Sequence, residues 1–116
     1  MATEVRFLRT KAGKCPVEEF LDGLAAKDAQ KVLWVFRLIE RLERVPTWYL
    51  KKLVGTEEIW EVRAQGTGQT FRILGFRYGE RLWLTNGYSK KSRRTDAREV
   101  QRAERMRRDF ITRQGG

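Results

Sequence analysis

Apolar residues recur along this chain with a period near two, then near 3.6, then two and 3.6 again, and each change of period marks a change of element. The opening Glu4-Val5-Arg6-Phe7-Leu8-Arg9 roughly alternates polar with apolar and predicts a short strand. Pro16 suits the first turn of a helix, and Val17, Phe20, Leu21 and Leu24 then fall on one stripe. Asp28 is placed to cap a second helix with apolar positions Val32, Val35, Phe36, Ile39 and Leu42, and Pro46 ends it. So little chain joins the two stripes that they should form an antiparallel helical hairpin.

After Lys51-Lys52 the alternation returns. Ile59-Trp60-Glu61-Val62-Arg63-Ala64 sets Trp60, Val62 and Ala64 to one side, with Glu61 and Arg63 on the other. Gln65-Gly66-Thr67-Gly68 is a turn cluster, and residues 70–77 form the return strand, with Phe71 and Ile73 toward the helices and Arg72 toward the open side. Tyr78-Gly79-Glu80 turns the chain into Arg81-Leu82-Trp83-Leu84-Thr85, which completes a three-stranded antiparallel meander. Asn86-Gly87 reads as a bulge or a strand end. A charged loop over residues 89–94 leads to a last helix, where Asp96 and Glu99 resemble a capping box and Val100, Ala103, Met106 and Phe110 keep helical spacing. The predicted order is β-α-α-β-β-β-α, an α+β fold whose small, mainly antiparallel sheet carries helices on one face and leaves the other open. With 116 residues and no repeat or linker, a single domain over residues 1–116 is expected.

Composition narrows the function. Hydrophobic residues make up 41%, which suits a packed domain, while 25 Lys and Arg against 15 Asp and Glu leave a net charge of +10. A surplus of that size creates a field of one sign that attracts phosphate backbones or anionic surfaces. No apolar run approaches the ~20 residues that span a bilayer, so no membrane partner is expected. Cys15 is the single cysteine, which excludes an intramolecular disulfide; with no signal-peptide pattern, a cytoplasmic location is expected. One Cys and no His cannot supply a familiar zinc ligand set, so neither a metal nor another cofactor is expected. Acid–base chemistry must then fall to Glu, Asp, Lys, Tyr or Arg.

The candidate chemistry lies in a convergence. Arg63 and Arg72 sit on neighbouring strands with side chains on the same face, Tyr88, Lys90, Lys91, Arg93 and Arg94 come at the end of the third strand, and Lys51 and Lys52 precede the first. Cations held on strands beside a tyrosine suit a phosphate together with a stacked base. Each residue also has an ordinary reading. The arginines can be solvated or paired with Glu61, residues 90–94 can be only a charged loop, and Tyr88 can be core. The Arg-rich last helix is partly a solvated face, where Glu99, Glu104 and Asp109 pair locally. The convergence at strand ends favours the phosphate reading.

These residues also carry a resemblance. Ile59-Trp60-Glu61-Val62-Arg63, then Phe71-Arg72-Ile73-Leu74, then Leu84-Thr85-Asn86-Gly87-Tyr88-Ser89-Lys90-Lys91, followed by a helix with Ala103, resemble the HigB-type toxins, the phage-derived-protein branch of the RelE superfamily. Val17-Glu18-Glu19-Phe20-Leu21 and Lys52-Leu53 fall where that family has similar residues, so the likeness runs from about Val17 to the end of the last helix. It implies a RelE-like fold and a ribosome-dependent mRNA endonuclease of a type II toxin–antitoxin system, silenced by a HigA-type helix-turn-helix antitoxin and reaching rRNA as well as mRNA. It implies Arg63 and Arg72 as phosphate-holding residues and Lys90 with Lys91 as the lysine pair closing the site. The base is either Glu61 or one of the two lysines, and Tyr88 either stacks on a base or orients the phosphate. Lys51, Lys52, Arg93 and Arg94 are expected to bind RNA. The chain departs from the pattern where many relatives have His in place of Asn86 and Pro in place of Asp96. A non-catalytic RNA- or ribosome-binding module, and a degenerate toxin that only binds its antitoxin, are the competing readings.

Overall fold

The computed structural model describes residues 3–90 and 96–115. In chain order its elements are β1 (Glu4–Phe7), α1 (Pro16–Asp22), α2 (Ala26–Arg41), β2 (Leu50–Lys52), β3 (Trp60–Gln65), β4 (Thr70–Tyr78), β5 (Arg81–Lys90) and α3 (Ala97–Gly115). The five strands make one sheet in the order β1-β5-β4-β3-β2, antiparallel throughout except that β1 runs parallel to β5. This is the expected α+β class with one strand more than predicted. The additional strand, β2, sets Lys51 opposite Glu61 and Lys52 opposite Trp60; three residues are too few to show alternation.

The two faces of the sheet are covered differently. On one, Val17 of α1 and Val32, Val35, Phe36 and Ile39 of α2 pack against Val62, Ala64, Phe71, Ile73, Leu82 and Leu84. The other was expected to be open, and α3 corrects that expectation: Phe110 and Met106 pack with Phe76 and Trp83, while Ala103 and Val100 pack with Leu74 and Ile59. The cause is visible along β4, where residues 71–76 are all buried. A strand that is apolar at consecutive positions must be covered on both sides. Phe71 and Ile73 meet one helical layer, Leu74 and Phe76 the other.

One irregularity sets the face of everything downstream in β5. The pairing steps from Gly75–Leu84 to Leu74–Asn86, leaving Thr85 as an additional residue. That step turns Asn86 and Tyr88 toward the α3 side and Gly87 toward α1. Both glycines at this crossing are demanded by close approach: a Cβ on Gly75 would lie 2.4 Å from the carbonyl oxygen of Trp83, and one on Gly87 2.6 Å from the ring of Phe20. The bulge expected near Asn86-Gly87 is therefore present, but the strand continues through it to Lys90.

Local signals were less reliable than the periodicities. α2 starts at Ala26 with Ala25 as its cap residue, and Asp28 lies inside the first turn, where its charge suits the positive end of the helix without capping it. At α3 the Asp96 carboxylate accepts the Arg98 N–H at 2.9 Å, but Glu99 does not return the bond. Its carboxylate and its carbonyl instead accept from the Asn86 amide, at 2.9 and 3.2 Å. Asn86 is wholly buried, and the Thr85 hydroxyl sits 2.6 Å from its oxygen.

Candidate nucleic-acid interface

Residues directly opposite on neighbouring strands share a face, so the register assembles the site. Arg63 of β3 lies opposite Arg72 of β4, which lies opposite Tyr88 of β5, forming one continuous row. The next row runs Lys51, Glu61, Leu74, Asn86, and the row on the other side Gln65, Thr70, Lys90. All three are on the α3 face. Leu74 and Asn86 lie under α3; the arginine row is the first one along from them.

Two arginines facing each other repel, and a buried carboxylate offsets this. Glu61 is fully buried, with Arg63 Nε 2.5 Å from one oxygen and Arg72 Nη1 3.6 Å from the other. Arg72 is the strand partner of Tyr88, whose hydroxyl accepts the Asp96 N–H at 3.1 Å. The network therefore runs from β3 through β4 and β5 to the first residue before α3. Burial raises the Tyr88 phenol above its ordinary value, the Glu61 charge adds to that, and the Asp96 N–H and Arg72 oppose it. The phenol is thus protonated throughout the physiological range.

The expectation that the Arg72 side chain stands out from an open face is corrected here, because the residue is only 3% exposed. Its flanks are occupied by Arg63 and Tyr88, and Glu61 draws the guanidinium down onto the sheet. Arg63 is about one third exposed, at 32% of its side chain. Lys51 and Lys52 are exposed, Lys52 with its Nζ 2.7 Å from a Glu58 carboxylate oxygen, and Lys90 is partly buried at the end of β5. Lys91, Arg93 and Arg94 lie outside the described residues.

Two concavities meet at Arg63. One, of about 550 Å³, runs from Lys51 and Leu53 to Val100, Gln101 and Glu104 of α3. The other, of about 610 Å³, holds Arg63 and Arg72 together with Gln65, Thr70, Lys31, Trp48 and Tyr49. The aromatic pair was missed from the sequence because it lies in an aperiodic segment after Pro46; an adjacent Trp and Tyr just before Lys51-Lys52 was the available signal. Among the described residues no group of three or more His, Cys, Asp and Glu is placed to hold a metal ion. None of the helices there is long and apolar enough to cross a membrane.

The sequence of the phage derived protein Gp49-like family (DUF891) matches residues 19–108, a span containing every strand of the arginine row and most of α3. The chain belongs to that family. Among solved structures, this Gp49-like chain is similar to one from the crystal structure of the archaeal RelE-RelB complex from Pyrococcus horikoshii OT3. The superposition has a TM-score of 0.50 at 19% identity and covers 81% of this chain and all of the other. At that identity the likeness speaks for the fold, which is RelE-like. Comparison with curated proteins finds no match.

Proposed function

We propose that this chain is the toxin of a type II toxin–antitoxin pair, of HigB type, and that it cuts mRNA on the ribosome. The observation that carries the reading is the Arg63–Arg72–Tyr88 row, tied together by one buried carboxylate on the sheet of a chain with net charge +10. Membership of the Gp49-like family and the RelE-like fold support it, and the similar archaeal chain was crystallised as a RelE-RelB complex. A helix-turn-helix antitoxin of HigA type is the partner this reading implies.

The chemistry is transphosphorylation. The 2′-oxygen of the RNA bonds to the adjacent phosphorus, the bond from phosphorus to the 5′-oxygen breaks, and a 2′,3′-cyclic phosphate remains. One proton leaves the 2′-hydroxyl and one reaches the departing 5′-oxygen. Positioning in line and neutralising the pentacoordinate centre are the main tasks of the protein. Arg63 and Arg72 hold the non-bridging oxygens, Arg63 from the mouth of the cleft and Arg72 from deeper in it. Tyr88, protonated, orients the phosphate. Glu61 is committed to the arginines, so it orients them and proton transfer falls to the lysines, Lys90 and its neighbour Lys91.

A second reading is a module that binds RNA or the antitoxin without cutting, and the burial of Arg72 favours it. One experiment separates the two. Expressed alone the chain should arrest growth, and a defined mRNA in translating ribosomes should be cut. Arg72→Ala should slow cutting by ~10²–10³-fold, the usual effect of losing one preorganised donor, and Arg72→Lys should recover only part for want of the bidentate fork. A 2′-deoxynucleotide before the scissile bond should block the reaction. Cutting of the deoxy substrate at the ribose rate would sink the mechanism, and absence of cutting with binding intact would establish the second reading.

A further inference from the structure

The cleft beside the arginine row has a second wall that the proposed chemistry does not use. Trp48 is 67% exposed and Trp34 43%, large exposures for the residue type that buries most area. Tyr49 stands between them, its ring 5.9 Å from Trp34 and 6.0 Å from Trp48, centroid to centroid. Lys31 Nζ lies 4.6 Å from the centroid of the Trp34 ring. Tyr49 is fixed to the arginine strand, because its carbonyl accepts the Arg63 N–H at 2.8 Å. Aromatic rings and phosphate-binding cations are thus held at neighbouring backbone positions and line one cavity.

We propose that Trp48, backed by Tyr49, is a base-stacking subsite for single-stranded RNA, receiving a base next to the nucleotide whose phosphate Arg63 and Arg72 hold. The proposal rests on the reading that the arginine row engages RNA. Single strands are bound by this pairing of a cationic track with aromatic faces, since every base offers a face regardless of its identity. Charge complementarity selects RNA over a protein partner: Lys31, Arg63 and Arg72 share the cleft with the rings, and its remaining side chains, Gln65 and Thr70, are polar. The subsite explains how a chain with weak acid–base groups holds a flexible strand still: the base fixes the sugar, and the arginines fix the phosphate.

The test uses the full chain, a fluorescein-labelled single-stranded hexaribonucleotide, and copies of it with one abasic nucleotide at successive positions. Trp48→Ala should weaken binding by roughly fivefold or more, the range expected for one stacked base. Trp48→Phe should restore most of it. The slope of log affinity against log salt should not change, because stacking releases no counterions. An abasic nucleotide at one position should weaken the parent to the same degree and the Trp48→Ala chain no further. Circular dichroism should show both variants folded, since the ring is mostly outside the core. Unchanged binding by Trp48→Ala, an equal loss at every abasic position, or no binding of the oligonucleotide by the parent overturns the proposal. So does intact RNA binding with loss of a helix-turn-helix partner, which makes the surface a protein dock. If the parent shows the stacking pattern but cuts nothing on ribosomes, the nuclease reading fails and the subsite stands. If the parent cuts and Trp48→Ala binds and cuts like it, the reverse holds.

Discussion

Glu61 pairs with two arginines that face each other across β3 and β4. Removing one member of a buried ionic group leaves the others uncompensated, typically at about 3–5 kcal/mol. Glu61→Gln should therefore lower the thermal midpoint as well as activity, whereas a residue acting only as a base would lose activity at constant stability; parallel melting and cleavage assays distinguish these. Tyr88 offers a second test at this scale. Its folded pKa is raised, so the folded state keeps the proton longer than the unfolded one. The sign follows: its contribution to stability is complete below the ordinary tyrosine pKa near ~10 and is lost as pH climbs from there through the raised value. In an alkaline titration followed by tyrosinate absorbance, Tyr88→Phe should remove a step that lies above the ordinary tyrosine value.

Among the elements, α3 is tied to the sheet by a buried polar contact as well as by its apolar residues. Asn86, wholly buried on β5, donates its amide to both the carbonyl and the carboxylate of Glu99. Asn86→Ala should cost about 1–3 kcal/mol, the penalty for stranding buried polar partners, and hydrogen exchange should show α3 loosening before the sheet. Asn86 faces a helix, so a change of side chain at this position changes a packing contact beneath α3. The periodicities found α1, α2, α3 and the meander because each runs long enough for its repeat to show. They failed for β2, which is three residues, and for the side taken by α3, because the expectation weighed Phe71 and Ile73 without Leu74 and Phe76. In the site, the shared face of Arg63 and Arg72 was legible from alternation, whereas Tyr88 was placed only at the end of the third strand and owes its face to the step at Thr85. The depth of Arg72 was not, since no pattern along the chain says that a carboxylate two residues before one arginine will draw another, on the next strand, onto the sheet.

For the molecule as a whole, the net charge of +10 is spread over many cations, and only those on the α3 face or lining the cleft beside the arginine row should behave as phosphate ligands. Replacing Lys51 and Lys90 by Ala should flatten the dependence of log affinity on log salt by about 0.7 for each phosphate of single-stranded RNA that is no longer neutralised. Lys11→Ala, whose partner is Asp109 of α3, should leave the slope as it was. Equal flattening in all three variants would mean a diffuse field with no positioned cations.

The sheet closes where β1 meets β5, joining Glu4 to Arg81 across 77 positions of chain. The outer side of β1 is guarded, with the Val5 N–H donated to a Glu40 carboxylate oxygen of α2 at 3.0 Å. Closing so long a loop costs little more free energy than closing one half its length, but the search for it is slow. During synthesis β1 is made before the other four strands of the sheet and waits 77 positions before its partner exists. Tyr88, which completes the arginine row, is only four residues beyond Leu84, the last partner of β1. A copy whose synthesis stops short of that point has neither a closed sheet nor a finished site, so the order of translation itself delays assembly of the site until β5 has been made.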